Sequence, residues 1–217
     1  MERTIYIDIE TIPAGEQPDP ATIPHPTIMK KAETIEAWRK DKAPQETETL
    51  YRKRALKSME GEIFCIAWAV GDDEVEVVYR QDMNEQILLA VFVNYLEEKI
   101  DLRESVIWVG HNALTFDMAW LWRRAIKYDM EMLANMINLS KFKSNVDDTM
   151  IMWRGADFKD YTSLDSLARW LGVGEAEGSG ADVYDQYLAG EYSKITDHCK
   201  ADVELVRKVY KKIKGKS

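Results

Sequence analysis

The sequence predicts an α/β fold in which a β-sheet of about five strands is flanked by helices. Three observations carry this. The opening "TIYIDIETIP" alternates apolar and polar residues with the period of a strand. Farther on, "GEIFCIAWAV" and "EVEVVYRQ" flank "GDDE" as two strands joined by a tight turn. After these stand "NEQILLAVFVNYLEEKI", "TSLDSLARWLGV" and "KITDHCKADVELVRKVYKKI", which have the composition and apolar spacing of helices.

At 217 residues the chain is of single-domain size, and residues 1–217 are expected to form one domain with a helical insertion at about 27–58. A hydrophobic fraction of 46% and an aromatic fraction of 10% suit a globular core, and 31% charged residues keep its surface wet. No run approaches the roughly 18 apolar residues of a membrane span, and the opening residues show no basic segment followed by an apolar stretch. A soluble, cytoplasmic protein is expected, with no membrane partner. Cys65 and Cys199 form neither a short metal motif nor a disulfide scaffold, which fits a reducing compartment. The net charge of −9 argues against a broad basic face for nucleic acid, but clustered carboxylates that bind cations would raise acidity for a different reason.

In the first strand Ile5, Ile7 and Ile9 face one way and Tyr6, Asp8 and Glu10 the other. Five of the six prolines fall between positions 13 and 26, which marks a loop. From about Thr27 to Lys57 the chain is rich in Lys, Arg and Glu and is broken at Pro44, predicting two helices. These are either a solvated insertion or a support whose basic end, Arg52, Lys53, Arg54 and Lys57, meets a polyanion. After the hairpin, Ile87, Leu88, Val91, Leu96 and Ile100 are placed on one side of a helix that covers the sheet. "SVIWVG" is a buried strand ended by Gly110, and "HNALTFDMAWLWRRAIKY" a loop turning into a helix at about Thr115, its expected N-cap. "NVDDTMIMW" is expected as a short strand. A helix capped by Thr162 or Ser163 stops at Gly172, a glycine-rich loop follows, and the last helix begins at about Glu191 or Ser193. Trp120, Trp122 and Trp170 are expected to pack between helices and sheet.

Asp8 and Glu10 stand on one face of the first strand. Two like charges held that close repel, so the pair is either a solvated strand edge or a site neutralised by a cation. Asp117 stands just inside a helix after a buried strand. Asp202 lies in the last helix with His198 one turn earlier on the same face.

The order of these pieces, "DIE" on the first strand, "HN" with "FD" after a later strand, and "HCKAD" in the last helix, resembles the three motifs of the DEDD superfamily of 3′→5′ exonucleases. Within it, the chain is similar to the predicted exonucleases related to the proofreading domain of family B DNA polymerases. The likeness runs through "YIDIETIP", "YRKRALKSMEGEIFCIAWAV", "VGHNALTFDMAWL", "SLDSLARWLGV", "GSGADVYDQYLAGEYSKI" and "HCKADVELVRKVY". It implies a ribonuclease H-like fold with a central mixed sheet. It also implies that Asp8, Glu10, Asp117 and Asp202 hold two divalent cations, Mg²⁺ or Mn²⁺, hard ions that prefer carboxylate oxygen. His198 takes the place four residues before the last aspartate where a tyrosine is usual; the histidine form places it five before, where this chain has Asp197. His198 is expected to orient or deprotonate the attacking water. Thr11, Ile12, Asn112 and Phe116 match positions that contact the terminal nucleotide, while His111 is expected to be structural.

The activity so implied is metal-dependent 3′→5′ hydrolysis of phosphodiester bonds in single-stranded DNA, releasing nucleoside monophosphates. The alternatives are an exoribonuclease of the same superfamily, since no motif here is committed to the 2′-hydroxyl, and a catalytically silent nucleic-acid-binding module.

Overall fold

β1 (Glu2–Pro13) forms because its β-branched residues alternate, and Ile5, Ile7 and Ile9 are all buried. The structure is a computed structural model that describes residues 2–101, 104–140, 142–176 and 178–215. β2 (Gly61–Val70) and β3 (Glu76–Tyr79) make the expected antiparallel hairpin, with Cys65 opposite Tyr79. β4 (Ser105–Gly110) runs parallel to β1, with Glu2 opposite Ser105 and Tyr6 opposite Val109, and β5 (Val146–Asp148) runs parallel to β4. The sheet order is β3-β2-β1-β4-β5. The Gly71 amide, just past β2, donates to the Thr4 carbonyl near the start of β1, as in an antiparallel pair. The fold is therefore α/β with a mixed five-stranded sheet, as expected.

The chain divides into two compact units, Met1–Glu10 with Ile63–Ser217, and Thr11–Glu62. The second holds α1 (Ala32–Asp41) and α2 (Ala43–Arg52), the latter opened by Pro44 in its first turn. Ile23, Trp38 and Ala43 make its small core. The basic end expected there is largely engaged within the unit: Arg54 donates to the Ala14 and Glu16 carbonyls, Arg52 pairs with Glu48, and Lys57 with Glu60.

In the first unit, α3 (Glu85–Lys99) and α4 (Asp117–Lys127) pack with the isoleucine side of β1, Leu88, Leu89, Phe92, Met118 and Leu121 joining Ile5, Ile7, Ile9 and Trp108 in one core. α3 buries Leu88, Leu96 and Ile100 as expected but is rotated from the expected phase, since Ile87 and Val91 are about half exposed while Leu89 and Phe92 are fully buried. Apolar residues run almost round this helix, so periodicity alone does not choose its phase. Glu85 does: its buried carboxylate accepts from the Ile63 amide, Arg124 Nε and the Tyr128 hydroxyl.

α5 (Glu131–Met136) follows α4. The short strand expected in "NVDDTMIMW" covers only β5, because Asp148 accepts from the Met150 and Ile151 amides and starts α6 (Thr149–Arg154). α7 (Leu164–Leu171) is capped by Ser163 and stopped by Gly172 in the left-handed region, both as expected. α8 (Val183–Leu188) leads into α9 (Tyr192–Ile213). α9 lies on the other side of β1: Tyr6 packs edge to face on Tyr210 at 5.8 Å, and Asp8 meets Cys199. The order of these contacts shows α9 running against β1. Among the described residues no helix is long and apolar enough to cross a membrane.

Candidate active site

β1 leaves β4 after Tyr6, the last residue in their register. Beyond that point the Ile9 amide has no β4 partner and donates instead to Asp117 Oδ1 at 3.1 Å. This bond fixes the start of α4 against β1. The chain makes the turn before α4 at Gly110, where a Cβ would stand 2.6 Å from Ala113 Cβ and 3.0 Å from the Ile7 carbonyl oxygen, so only glycine fits. Asp148 then holds the following loop, accepting from the Asn112 and Leu114 amides. α4 begins later than expected: its N-cap position is Phe116, and the Thr115 hydroxyl donates to Asn112 Oδ1 rather than capping the helix.

The result is a cavity of about 480 Å³ lined by Asp8, Glu10, Asp117, His198 and Asp202, a size ordinary for a small-ligand pocket. Asn112 and Phe116 also line it, Phe116 lying half-buried against the core with Trp120 at 5.8 Å between ring centroids. Thr11 and Ile12 continue β1 into the other unit, where both are buried and the Thr11 hydroxyl donates to the Ala55 carbonyl.

Asp8 and Asp117 each have a protein donor, while Glu10 and Asp202 face one imidazole. Asp117 has the Ile9 amide, and Asp8 Oδ2 accepts from the Cys199 thiol at 3.2 Å. Glu10 Oε1 lies 3.3 Å from His198 Nε2, which is 3.9 Å from Asp202 Oδ2. Asp202 Oδ1 is buried with no hydrogen-bond partner. As they stand, no three carboxylate, imidazole or thiol groups among the described residues converge as a metal cage.

The electrostatics are those of crowded acids. Burial, then the charges of Asp117, Glu10 and Asp202, push the Asp8 carboxyl well above its usual range. Burial likewise raises Glu10 well above its usual value. Asp117 is pushed up to about 7 by burial, although amide hydrogen bonds pull the other way. Burial raises Asp202 too, opposed by His198 and reinforced by Asp165. All four stay ionised together only if positive charge enters the pocket. The donor set is hard oxygen, and the orphaned Asp202 Oδ1 supplies a buried acceptor, so the residues present suit Mg²⁺ or Mn²⁺.

Several residues of the site escape a reading by motif. Asp165 and Arg169 of α7 line the pocket and pair with each other at 3.0 Å. Gly178, Ser179 and Gly180 close another side. Gly178 has φ +89°, a backbone conformation that favours glycine, and a Cβ there would touch the His198 ring. Cys199, which belongs to no motif in the sequence, touches Asp8; its place beside His198 and one turn before Val203 is the available signal. His111 is placed as a structural pin: Nε2 lies 2.9 Å from the Thr162 carbonyl, which only accepts, so Nε2 carries the proton and Nδ1 faces the Thr149 hydroxyl. Trp120 is buried and Trp122 packs on the core, but Trp170 does not fit the packing expected of it, being 74% exposed.

A family model described as a predicted 3′-5′ exonuclease related to the exonuclease domain of PolB matches residues 61–214. That stretch contains Asp117, His198 and Asp202 and begins after Asp8 and Glu10. A comparison with the curated proteins gave no match. Among solved structures, the family B DNA polymerase from the hyperthermophilic archaeon Pyrobaculum calidifontis is similar, with a TM-score of 0.55 and 16% identity over 96% of this chain. The matched part is 24% of the polymerase chain, so this chain spans about a quarter of that protein's length. At such identity the likeness is one of fold, here ribonuclease H-like. The chain belongs to the family of predicted 3′-5′ exonucleases related to the exonuclease domain of PolB.

Proposed function

We propose that the protein is a metal-dependent 3′→5′ exonuclease that removes nucleoside monophosphates from the 3′ end of single-stranded DNA. The observation that carries this reading is the meeting of four carboxylates, Asp8, Glu10, Asp117 and Asp202, from β1, α4 and α9 around one cavity. Two divalent cations held by these groups would acidify the attacking water and stabilise the leaving 3′ oxygen. The chain's own groups do the rest. Asp117 is held in place by the Ile9 amide, and Cys199 steadies Asp8. His198, one turn before Asp202 and with Nε2 turned to Glu10, would orient the attacking water, and would accept its proton where Nε2 is not donating to Glu10. Phe116 offers an apolar edge to the terminal base, and Asn112 a polar group beside it.

The test uses 5′-labelled single-stranded DNA and RNA with free or blocked 3′ ends, in Mg²⁺, Mn²⁺ or EDTA, alongside Asp8→Ala. Stepwise shortening of DNA from a free 3′ end, dependent on metal and lost in the variant, is expected. Faster shortening of RNA would make the enzyme an exoribonuclease. No shortening of either polymer, or equal shortening by the variant, would overturn the enzymatic reading.

A further inference from the structure

Between α6 and α7, and near the end of α7 itself, the chain exposes three aromatic rings that no core requires. Phe158 is 73% exposed, Tyr161 72% and Trp170 74%. Burying such rings is ordinarily worth far more than leaving them wet, so three within one short stretch mark a surface that binds something. Their setting is organised. Trp170 packs against Trp153 of α6 at 5.0 Å between centroids, which ties α7 to α6. The Arg154 guanidinium lies 5.8 Å from the centroids of both the Phe158 and Tyr161 rings, holding them from one side.

The rings stand next in sequence to residues of the candidate active site. Tyr161 adjoins Thr162, whose carbonyl receives the His111 ring, and Ser163, Leu164, Asp165 and Arg169 on the same stretch line the pocket. Trp170 follows Arg169 directly. The rings are interleaved with polar residues, Lys159, Asp160, Thr162 and Ser163, rather than gathered with aliphatic ones. Such alternation suits flat bases carried on a charged backbone better than the apolar face of a folded protein. Local charge is balanced, since Arg154, Lys159 and Arg169 stand among Asp157, Asp160 and Asp165. Two of these acids are engaged with the backbone: Asp157 accepts from the Lys159 amide and Asp160 from the Thr162 amide. Attraction here therefore comes from ring faces and not from net charge.

We infer that Phe158, Tyr161 and Trp170 form a stacking surface for unpaired nucleotides upstream of the 3′ end that enters the pocket. The inference rests on the exonuclease reading only for which end of the strand the pocket receives. Stacking is indifferent to sequence, because every base presents a π face, and it favours single strands, whose bases are free to splay. The surface would thus make the enzyme prefer longer single strands to the shortest substrates without preferring a sequence.

The test is binding of a 5′-fluorescein twelve-nucleotide oligothymidylate in EDTA, followed by anisotropy, together with Mn²⁺-supported hydrolysis of that strand and of a dinucleotide. Trp170→Ala and the double variant Phe158→Ala/Tyr161→Ala are expected to raise Kd about tenfold or more. Trp170→Phe, which keeps a ring, is expected to retain most of the affinity. The salt dependence of Kd should keep its slope, because no phosphate contact is removed. The wild-type ratio of kcat/KM for the long over the short substrate should collapse in both aromatic variants. Variants that bind and discriminate length like the wild type, or that lose affinity only through a changed salt slope, would overturn the inference. Loss of binding in the variants with a wild type that hydrolyses neither substrate would instead overturn the exonuclease reading and leave the stacking surface standing.

Discussion

His198 Nε2 on α9 lies 3.3 Å from Glu10 Oε1 on β1, so the last helix delivers its imidazole onto the second acid of the first strand. If that imidazole accepts the proton of the attacking water, His198→Ala lowers kcat by about 100-fold or more with little change in KM. A loss under about threefold would restrict His198 to holding Glu10 in place. His198→Tyr, which restores the residue usual at this spacing, is expected to exceed the alanine variant in turnover.

Asp8, Glu10, Asp117 and Asp202 repel one another in a largely buried pocket. A cation that binds there stabilises the native state by mass action. Saturating Mn²⁺ is expected to raise Tm by about 5 °C or more. Asp117→Asn keeps an oxygen for the Ile9 amide and removes one charge. In EDTA this variant is expected to melt above the wild type, and in Mn²⁺ to gain little. Equal Mn²⁺ shifts in both proteins would remove Asp117 from the ion site.

His111, which lines the same pocket, gives a pH signature of its own. Burial lowers its pKa, and its proton-bearing Nε2 is already committed to the Thr162 carbonyl. In the unfolded chain it takes up a proton below about pH 6.5, while the folded protein resists that proton until lower pH. The unfolded state thus binds more protons in this window, and stability falls as pH drops below about 6.5. Urea unfolding at pH 7.5 and 5.5 is expected to show the wild type losing more stability than His111→Asn over that interval. Parallel losses in the two proteins would contradict the assignment.

Glu85 is 2% exposed and is held by Arg124, Tyr128 and the Ile63 amide. Removing one partner of a buried ion pair leaves the other uncompensated, which costs about 3–5 kcal/mol. Glu85→Ala is expected to lose that much in denaturant unfolding. A double change of Glu85 and Arg124 to apolar residues of similar volume should recover a large part of it. An additive double variant would show that the two side chains act independently.

The strands, the hairpin, the capping of α7 and the motif order were legible in the sequence because they depend on local rules: alternation, turn chemistry and short-range spacing. The face of α3 was legible only in part: Leu88, Leu96 and Ile100 are buried as expected, but its apolar residues nearly encircle it and the contact of Glu85 with Ile63 and Arg124 sets its rotation. Thr115 was a sound N-cap by residue type, yet the tight turn forced by Gly110 moved the helix start past it. The sequence by itself determined that Asp8 and Glu10 share a face and that His198 and Asp202 share another. Only the tertiary structure decided that those faces meet, because α9 runs against β1 and the Ile9 amide, freed where β4 ends, draws Asp117 between them. It also decided that Trp170 faces solvent, which no pattern along the chain distinguishes from a tryptophan at the core, since burial is a property of what the other elements cover.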